Sequence, residues 1–273
     1  MQFDSNEAWK EATAKVAANR DMLLAITGVF ILLPSFAVQV FTAPLQVPLG
    51  NEARPEQVLA AYGAYFEHSW PYLLVMAVLH LIGTLAMIAL ITDPRRPTVA
   101  EAIRTGLGRT GTVGAAMVML FFALSFVAGL PLNIAALTGS PGIGFLGMAA
   151  GLTVLFYGLA RTLPLMPVVV VDRVANPLVA LRRAYMLSRG NGGRLMLFYG
   201  LIFVAFLLSS ILLLAGLKIV FTLALSAEAT DLLMALADSG ISAVMSVYLA
   251  AVLAAIHRQL AAGEVGTRVD KAL

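Results

Sequence analysis

The chain has 273 residues, 60% hydrophobic and 12% charged, with no cysteine, a formal net charge of +3 and a mean hydropathy of +0.90. A water-soluble domain carries about twice that share of charge, so an ordinary soluble fold is excluded; the lack of cysteine excludes disulfides and thiolate metal sites. Apolar runs of about 18 residues or more, each able to cross a hydrocarbon core of about 30 Å, identify a polytopic membrane protein.

The segment up to Asp21 mixes acidic and basic residues and does not resemble a cleaved signal peptide. Within it Trp9, Ala12, Thr13 and Val16 oppose Glu7, Lys10 and Glu11, while Asp4 and Glu7 stand at capping-box spacing. These predict a short helix lying in the membrane interface. Six apolar spans are expected at residues 22–41, 72–92, 112–137, 143–163, 195–225 and 231–256. Pro34 is expected to kink the first, because its ring removes a backbone hydrogen bond.

Between the first two spans, Pro55 to Glu67 is amphipathic, with Val58, Leu59, Tyr62, Tyr65 and Phe66 on one side. It predicts a helix lying on the outer surface, its tyrosines joining Trp70 and Tyr72 in an interfacial belt; a gating lid is the alternative. Pro71, after Ser69, marks the start of the second span. His80 falls mid-span and Asn133 near the outer end of the third, and each is expected to hydrogen-bond another helix. Before the third span, Val99, Ile103 and Leu107 oppose Glu101, Arg104, Thr105 and Arg109, which predicts a second interfacial helix.

In the fourth span Gly144, Gly147, Gly151 and Gly158 share a face, and Gly147 and Gly151 form a GxxxG pair. Close helix packing is the expected role; a backbone-lined solute path is the other. Arg161 comes 18 residues after Ile143, about 27 Å along a helix. There it snorkels to the headgroups, binds a lipid phosphate, or pairs with Asp172. Pro164 and Pro167 interrupt the helix beyond it, so the valine run is a kinked extension or a buried non-helical segment. Asn176-Pro177 predicts an N-cap and first-turn proline for a third interfacial helix. Lys218 and Asp238 each lie ten residues from Glu228, at matching depth about 15 Å from the hairpin tip. That predicts a salt bridge between the last two spans, with a proton- or cation-coupled site as the alternative.

Fifteen of the 18 basic residues fall on one side: Lys10, Lys15, Arg20, Arg95, Arg96, Arg104, Arg109, Arg173, Arg182, Arg183, Arg189, Arg194, Arg258, Arg268 and Lys271. Arg54 alone lies opposite, among Glu52, Glu56, Glu67, Glu228 and Asp231. This asymmetry places both termini in the cytoplasm. His68, His80 and His257 are scattered across three levels, so no metal site is expected. No nucleophile, nucleotide or dinucleotide motif stands in a suitable context, and no catalytic site or cofactor is expected. Glu101 to Gly106 approaches a permease coupling motif but lacks its continuation.

Pro97, Val99, Ala100, Leu107 and Arg109 recur at an offset of 80 as Pro177, Val179, Ala180, Leu187 and Arg189. The recurrence suggests three interfacial-helix-plus-hairpin units, 1–92, 93–171 and 172–257, with a tail at 258–273, all in one integral membrane domain.

Pro167-Val-Val-Val-Val-Asp172 followed by Asn176-Pro-Leu-Val-Ala-Leu-Arg-Arg-Ala-Tyr-Met-Leu-Ser-Arg-Gly190 resembles a known signature. It is similar to the membrane domain associated with glycerophosphodiester phosphodiesterases and to YciC-like uncharacterised inner-membrane proteins. The sequence departs from that pattern at Asp172 (usually glutamate), Ala184 (often serine), Tyr185 (often tryptophan) and Gly192-Gly193 (often aromatic). The family's His-Arg-Gly opening and metal-binding carboxylates have no counterpart, so the resemblance implies the membrane module without the enzyme. Asp172 is expected to accept bonds from Arg173, Arg161 or the next helix's N-terminus. Arg161, Asp172, Arg182, Arg183 and Arg189 are the lipid-headgroup candidates; His80, Asn133, Lys218 and Asp238 are the intramembrane polar ones.

Arginine exceeds lysine and alanine is abundant, which suggests a GC-rich bacterial genome. The resulting expectation is a non-enzymatic, six-helix protein of a bacterial inner membrane. It binds or organises anionic phospholipids, or an envelope, membrane or cytoplasmic protein partner, and no nucleic acid. The alternative is a small-solute transporter or permease subunit.

Overall fold

The computed structural model describes residues 3–45 and 54–269; Glu52 and Lys271 lie outside them, as does the Arg268 side chain. Among the described residues, ten α-helices occur in order: α1 (Ser5–Ala18), α2 (Arg20–Thr27), α3 (Leu33–Thr42), α4 (Pro55–Thr92), α5 (Val99–Thr138), α6 (Pro141–Thr162), α7 (Leu165–Val171), α8 (Pro177–Leu187), α9 (Gly192–Ala224) and α10 (Ala227–Val269). No strand occurs among the described residues. Six stretches are long and apolar enough to cross a membrane: Arg20–Leu45, Glu56–Thr92, Val99–Pro131, Gly142–Val171, Gly192–Ala224 and Ala227–Glu264. The all-α, six-span architecture expected from hydropathy is the one observed.

Several boundaries differ from expectation, for one physical reason: polar residues do not end a helix whose backbone bonds can continue. The Pro55–Glu67 segment is no separate surface helix but the first part of α4, whose 38 residues extend about 57 Å. Pro71 lies inside that helix instead of starting it. The segment before the third span is likewise the beginning of α5, a 40-residue helix that also carries Pro131 in its interior. Its buried face is Ala102, Gly106 and Val113. Leu107, expected on the inward stripe, is exposed.

Gly106 explains why that face is chosen. A Cβ there would stand 2.7 Å from the Ile82 carbonyl oxygen and 2.9 Å from the Ala86 nitrogen, so α4 and α5 approach backbone to backbone. Gly147 and Gly151 are buried, and Gly158 abuts Leu124 of α5, which supports the packing role of the glycine face on α6.

Pro34 acts one turn earlier than a simple kink. The chain widens into a π-helical turn over Gly28–Leu32 just before it, a common response where the regular ladder is broken. The valine run forms α7, with Val168 and Val169 fully buried among α4, α5, α8 and α10.

α1 packs along α10, with Ala8 and Ala12 buried. Glu11 meets Arg258 at 2.6 Å and Lys15 at 3.2 Å, and Trp9 stacks on Tyr248 with ring centres 5.8 Å apart. Asp4 caps α1 by accepting from the Asn6 and Glu7 amides, yet its own N–H donates to Gln259 and not to Glu7. α1 and the C-terminal half of α10 therefore meet at one end of the bundle. The core concentrates there too, in Leu85–Ile88, α7 and Ala250–Ile256. α9 stays peripheral, burying chiefly Leu195, Phe198 and Ile202.

α1, a continuous α5 and the separate α8 precede the three hairpins. Leu107 is exposed and its offset partner Leu187 is buried, so the recurring spacing does not carry a recurring environment.

Candidate functional site

Arg161 sits in the last turn of α6 and is 5% exposed. It neither snorkels outward nor meets Asp172. Its Nη2 donates to the Tyr185 carbonyl at 2.8 Å and its Nη1 to the Tyr157 hydroxyl at 3.4 Å. The guanidinium carbon lies 4.0 Å from the Tyr185 ring centre. Such a desolvated cation over an aromatic face contributes about 2 kcal/mol. The Arg161 carbonyl accepts from Ser188 at 2.6 Å. Gly192 supplies the room: a Cβ there would stand 2.7 Å from Arg161 Cδ. Arg161 thus fastens α6 to the turn between α8 and α9. Its Nε is buried without a hydrogen-bond partner.

Asp172 belongs to a different network. Its Oδ2 accepts from Arg183 Nε at 3.1 Å, and Arg183 Nη1 reaches Glu264 at 2.9 Å. His257 Nε2 stands 3.1 Å from Asp172 Oδ1, within ion-pair distance but off straight hydrogen-bond geometry. The expected donors Arg173, Arg161 and the α8 N-terminus do not serve Asp172, because Asn176 already accepts from the Leu178 and Val179 amides. Burial pushes the Asp172 carboxyl up, but His257 and Arg183 together outweigh it and hold it below its ordinary value. Burial likewise disfavours the Arg183 cation, and the Asp172 and Glu264 carboxylates more than compensate. The network ties α7, α8 and α10 together at the basic end. Its members His257 and Glu264 are not foreseeable from sequence, since 85 and 92 residues separate them from Asp172.

Among the headgroup candidates, then, Arg161 is buried, and Asp172 and Arg183 are engaged by protein partners. Arg182 and Arg189 are exposed on and just after α8, with no side-chain bond among the described residues.

The intramembrane candidates also separate. Lys218 is exposed on α9 and makes no ion pair with Asp238. Asp238 Oδ2 instead accepts from Gln39 Nε2 at 2.8 Å, and the same amide reaches Ser239 at 3.2 Å. Helical phase decides this: α10 turns Asp238 toward α3, while Lys218 faces away from the bundle. His80 Nε2 lies 3.0 Å from Ser35 Oγ and 3.3 Å from the Ile31 carbonyl in the π turn, so it does meet another helix. Asn133 does not; its amide donates back to Gly129 at 2.9 Å. Ser35 and Gln39, one turn apart on α3, form a polar stripe readable in the sequence but hidden by the hydropathy pattern.

A large groove opens between α5, α6, α7, α9 and α10, about 790 Å³ in volume. Phe121, Leu124, Met148, Leu155, Met166 and Leu253 represent its lining, in which Ser125, Thr162 and Tyr199 are the hydroxyls and no residue is charged. Arg161 points to the opposite side of α6. Set against known proteins, the chain matches no family model, no curated protein and no solved structure.

Proposed function

We propose that this protein is a non-enzymatic lipid-binding protein of a bacterial inner membrane, with both termini in the cytoplasm. The observation that carries this reading is the uncharged groove on the membrane-spanning part of α5 and α6. A polar solute entering it would lose its water and find only the hydroxyls of Ser125, Thr162 and Tyr199 in exchange, whereas an acyl chain loses nothing. Phospholipid chains are its fitting occupant. Arg182 and Arg189 stand free at the basic end to meet anionic headgroups, each contributing about 1 kcal/mol near the surface. The resemblance of residues 167–190 to a phosphodiesterase-associated membrane module adds support. The polar groups of the α3 seam, by contrast, bond one another: His80 with Ser35, Asp238 with Gln39.

The test is mass spectrometry of phospholipid retained after purification in detergent. Filling the groove by Ser125→Trp or Leu155→Trp should reduce the retained lipid, and the double change R182Q/R189Q should lower its anionic fraction. Lipid unchanged in amount by the tryptophan variants would overturn the reading.

A further inference from the structure

We infer that the cavity at the basic end, between the α4–α5 turn and the residue after Asp172, is a phosphate site held by Arg104, Arg109 and Arg173. The cavity measures about 670 Å³. The charged residues that line it are Asp93, Arg95, Glu101, Arg104, Arg109 and Arg173.

Both acids are already occupied. Asp93 accepts from Arg95 Nη2 at 2.8 Å and Nε at 3.1 Å. Those side-chain bonds, with the Arg95 amide, pull the Asp93 carboxyl down to about 2, so it stays ionised and keeps Arg95 engaged. Glu101 accepts from the Thr98 amide at 2.8 Å and the Thr98 hydroxyl at 2.9 Å, closing the N-terminus of α5. Arg104, Arg109 and Arg173 make no side-chain hydrogen bond or ion pair among the described residues. Three cations are left facing one space.

The third is held there at a conformational cost. Arg173 has φ +55°, in the left-handed region that a side chain disfavours. Its neighbours lock it: Asp172 is gripped by Arg183, and the Ala175 carbonyl accepts from Thr112 of α5 at 3.0 Å. Arg96, on the α4–α5 turn beside the cavity, is the other non-glycine residue with positive φ among the described residues, at +52°. Backbone strain kept by its surroundings concentrates at binding sites. A single carboxylate would answer one guanidinium; a phosphate offers enough oxygens for three, in the planar geometry arginine prefers. The Thr92 and Thr105 hydroxyls donate to the Ile88 and Glu101 carbonyls of their own helices, so the arginines are the donors, and Ala89, Val170 and Val171 form an apolar floor. The site takes a phosphate group, from a soluble phosphate or from a phospholipid head. It shares no lining residue with the intramembrane groove, so either can fail alone.

The experiment titrates the purified full chain with inorganic phosphate and with glycerol phosphate by calorimetry. In parallel, it is placed in nanodiscs with or without phosphatidylglycerol, and bound lipid is read by phosphorus NMR. R104Q, R109Q and R173Q should each weaken binding by about tenfold, the loss of one charge-assisted bond. K10Q, on the exposed side of α1 and outside both sites, should leave it unchanged. R173G removes the cation while relieving the positive φ, so it should lose binding in a protein at least as stable as the parent. Binding of the free phosphates assigns a soluble ligand, and binding of phosphatidylglycerol alone assigns a headgroup. Equal weakening by the cavity variants and by K10Q, or no phosphate binding in either format, would overturn the site.

Discussion

Asp172 is the residue on which most interactions at the basic end converge. Its folded pKa is held below the ordinary carboxylate value of about 3.9 by His257 and Arg183. The stabilisation it contributes is therefore complete above that value and disappears as pH falls through the depressed folded pKa. In detergent, the thermal midpoint of the parent protein should fall over this acid range. Asp172→Asn should start lower at neutral pH and lose less on acidification; equal acid losses in the two proteins would refute the assignment. The same residue shows what a sequence can disclose. The Asn176 cap is legible because its partners lie two and three positions away. The partners of Asp172 are not, because the pairing with His257 exists only after α7 and α10 have packed. Lys218 and Asp238 teach the complementary lesson: equal depth is readable from spacing, rotational phase is not.

At the scale of helices, hydropathy locates all six spans but misjudges where several begin. Charge and amphipathicity after Thr98 suggest a separate interfacial helix, yet nothing between Val99 and Thr138 stops the backbone ladder. A proline in the interior is equally uninformative, since Pro71 and Pro131 are both accommodated. Breaks occur instead where the chain must turn, as at Gly190 with φ +80° after α8. The α4–α5 contact yields a sharp expectation. Gly106→Ala places a methyl group against backbone atoms that cannot rotate away, so the helices must separate. It should lower stability by about 1–3 kcal/mol, the cost of overpacking a tight contact, as read by unfolding in mixed micelles. Gly108→Ala, with open space around the added carbon, is the control and should have little effect or stabilise. A neutral Gly106→Ala would mean that the two backbones can part without loss.

For the whole molecule, six spans and the α1–α10 contact bring both ends to one side. Arginine and lysine crowd on that side, which is why the proposed topology puts it in the cytoplasm. Reporter fusions at the N-terminus and at the C-terminus should both be active as cytoplasmic enzymes, and a fusion at Ser226, between α9 and α10, should be active outside. Activity of the two terminal fusions on opposite sides would discard the topology, and with it the assignment of Arg182 and Arg189 to cytoplasmic headgroups. This level is the most legible in the sequence, because it rests on bulk hydropathy and charge and not on pairwise geometry. The groove is invisible there, as it depends on how far α5 and α6 stand from α9 and α10.

The clasp between α1 and α10 also bears on how the protein is made. The Asp4 amide and carbonyl both bond the Gln259 side chain, and the Phe3 amide bonds Asn191. Phe3 and Asp4 thus wait for partners made 188 and 255 residues later. Until α10 is made, α1 lacks the helix it packs along, and a nascent chain stalled before Ala227 would present Ala8, Ala12 and Glu11 without their α10 cover to the quality-control machinery. The clasp can close only once α10 has been made.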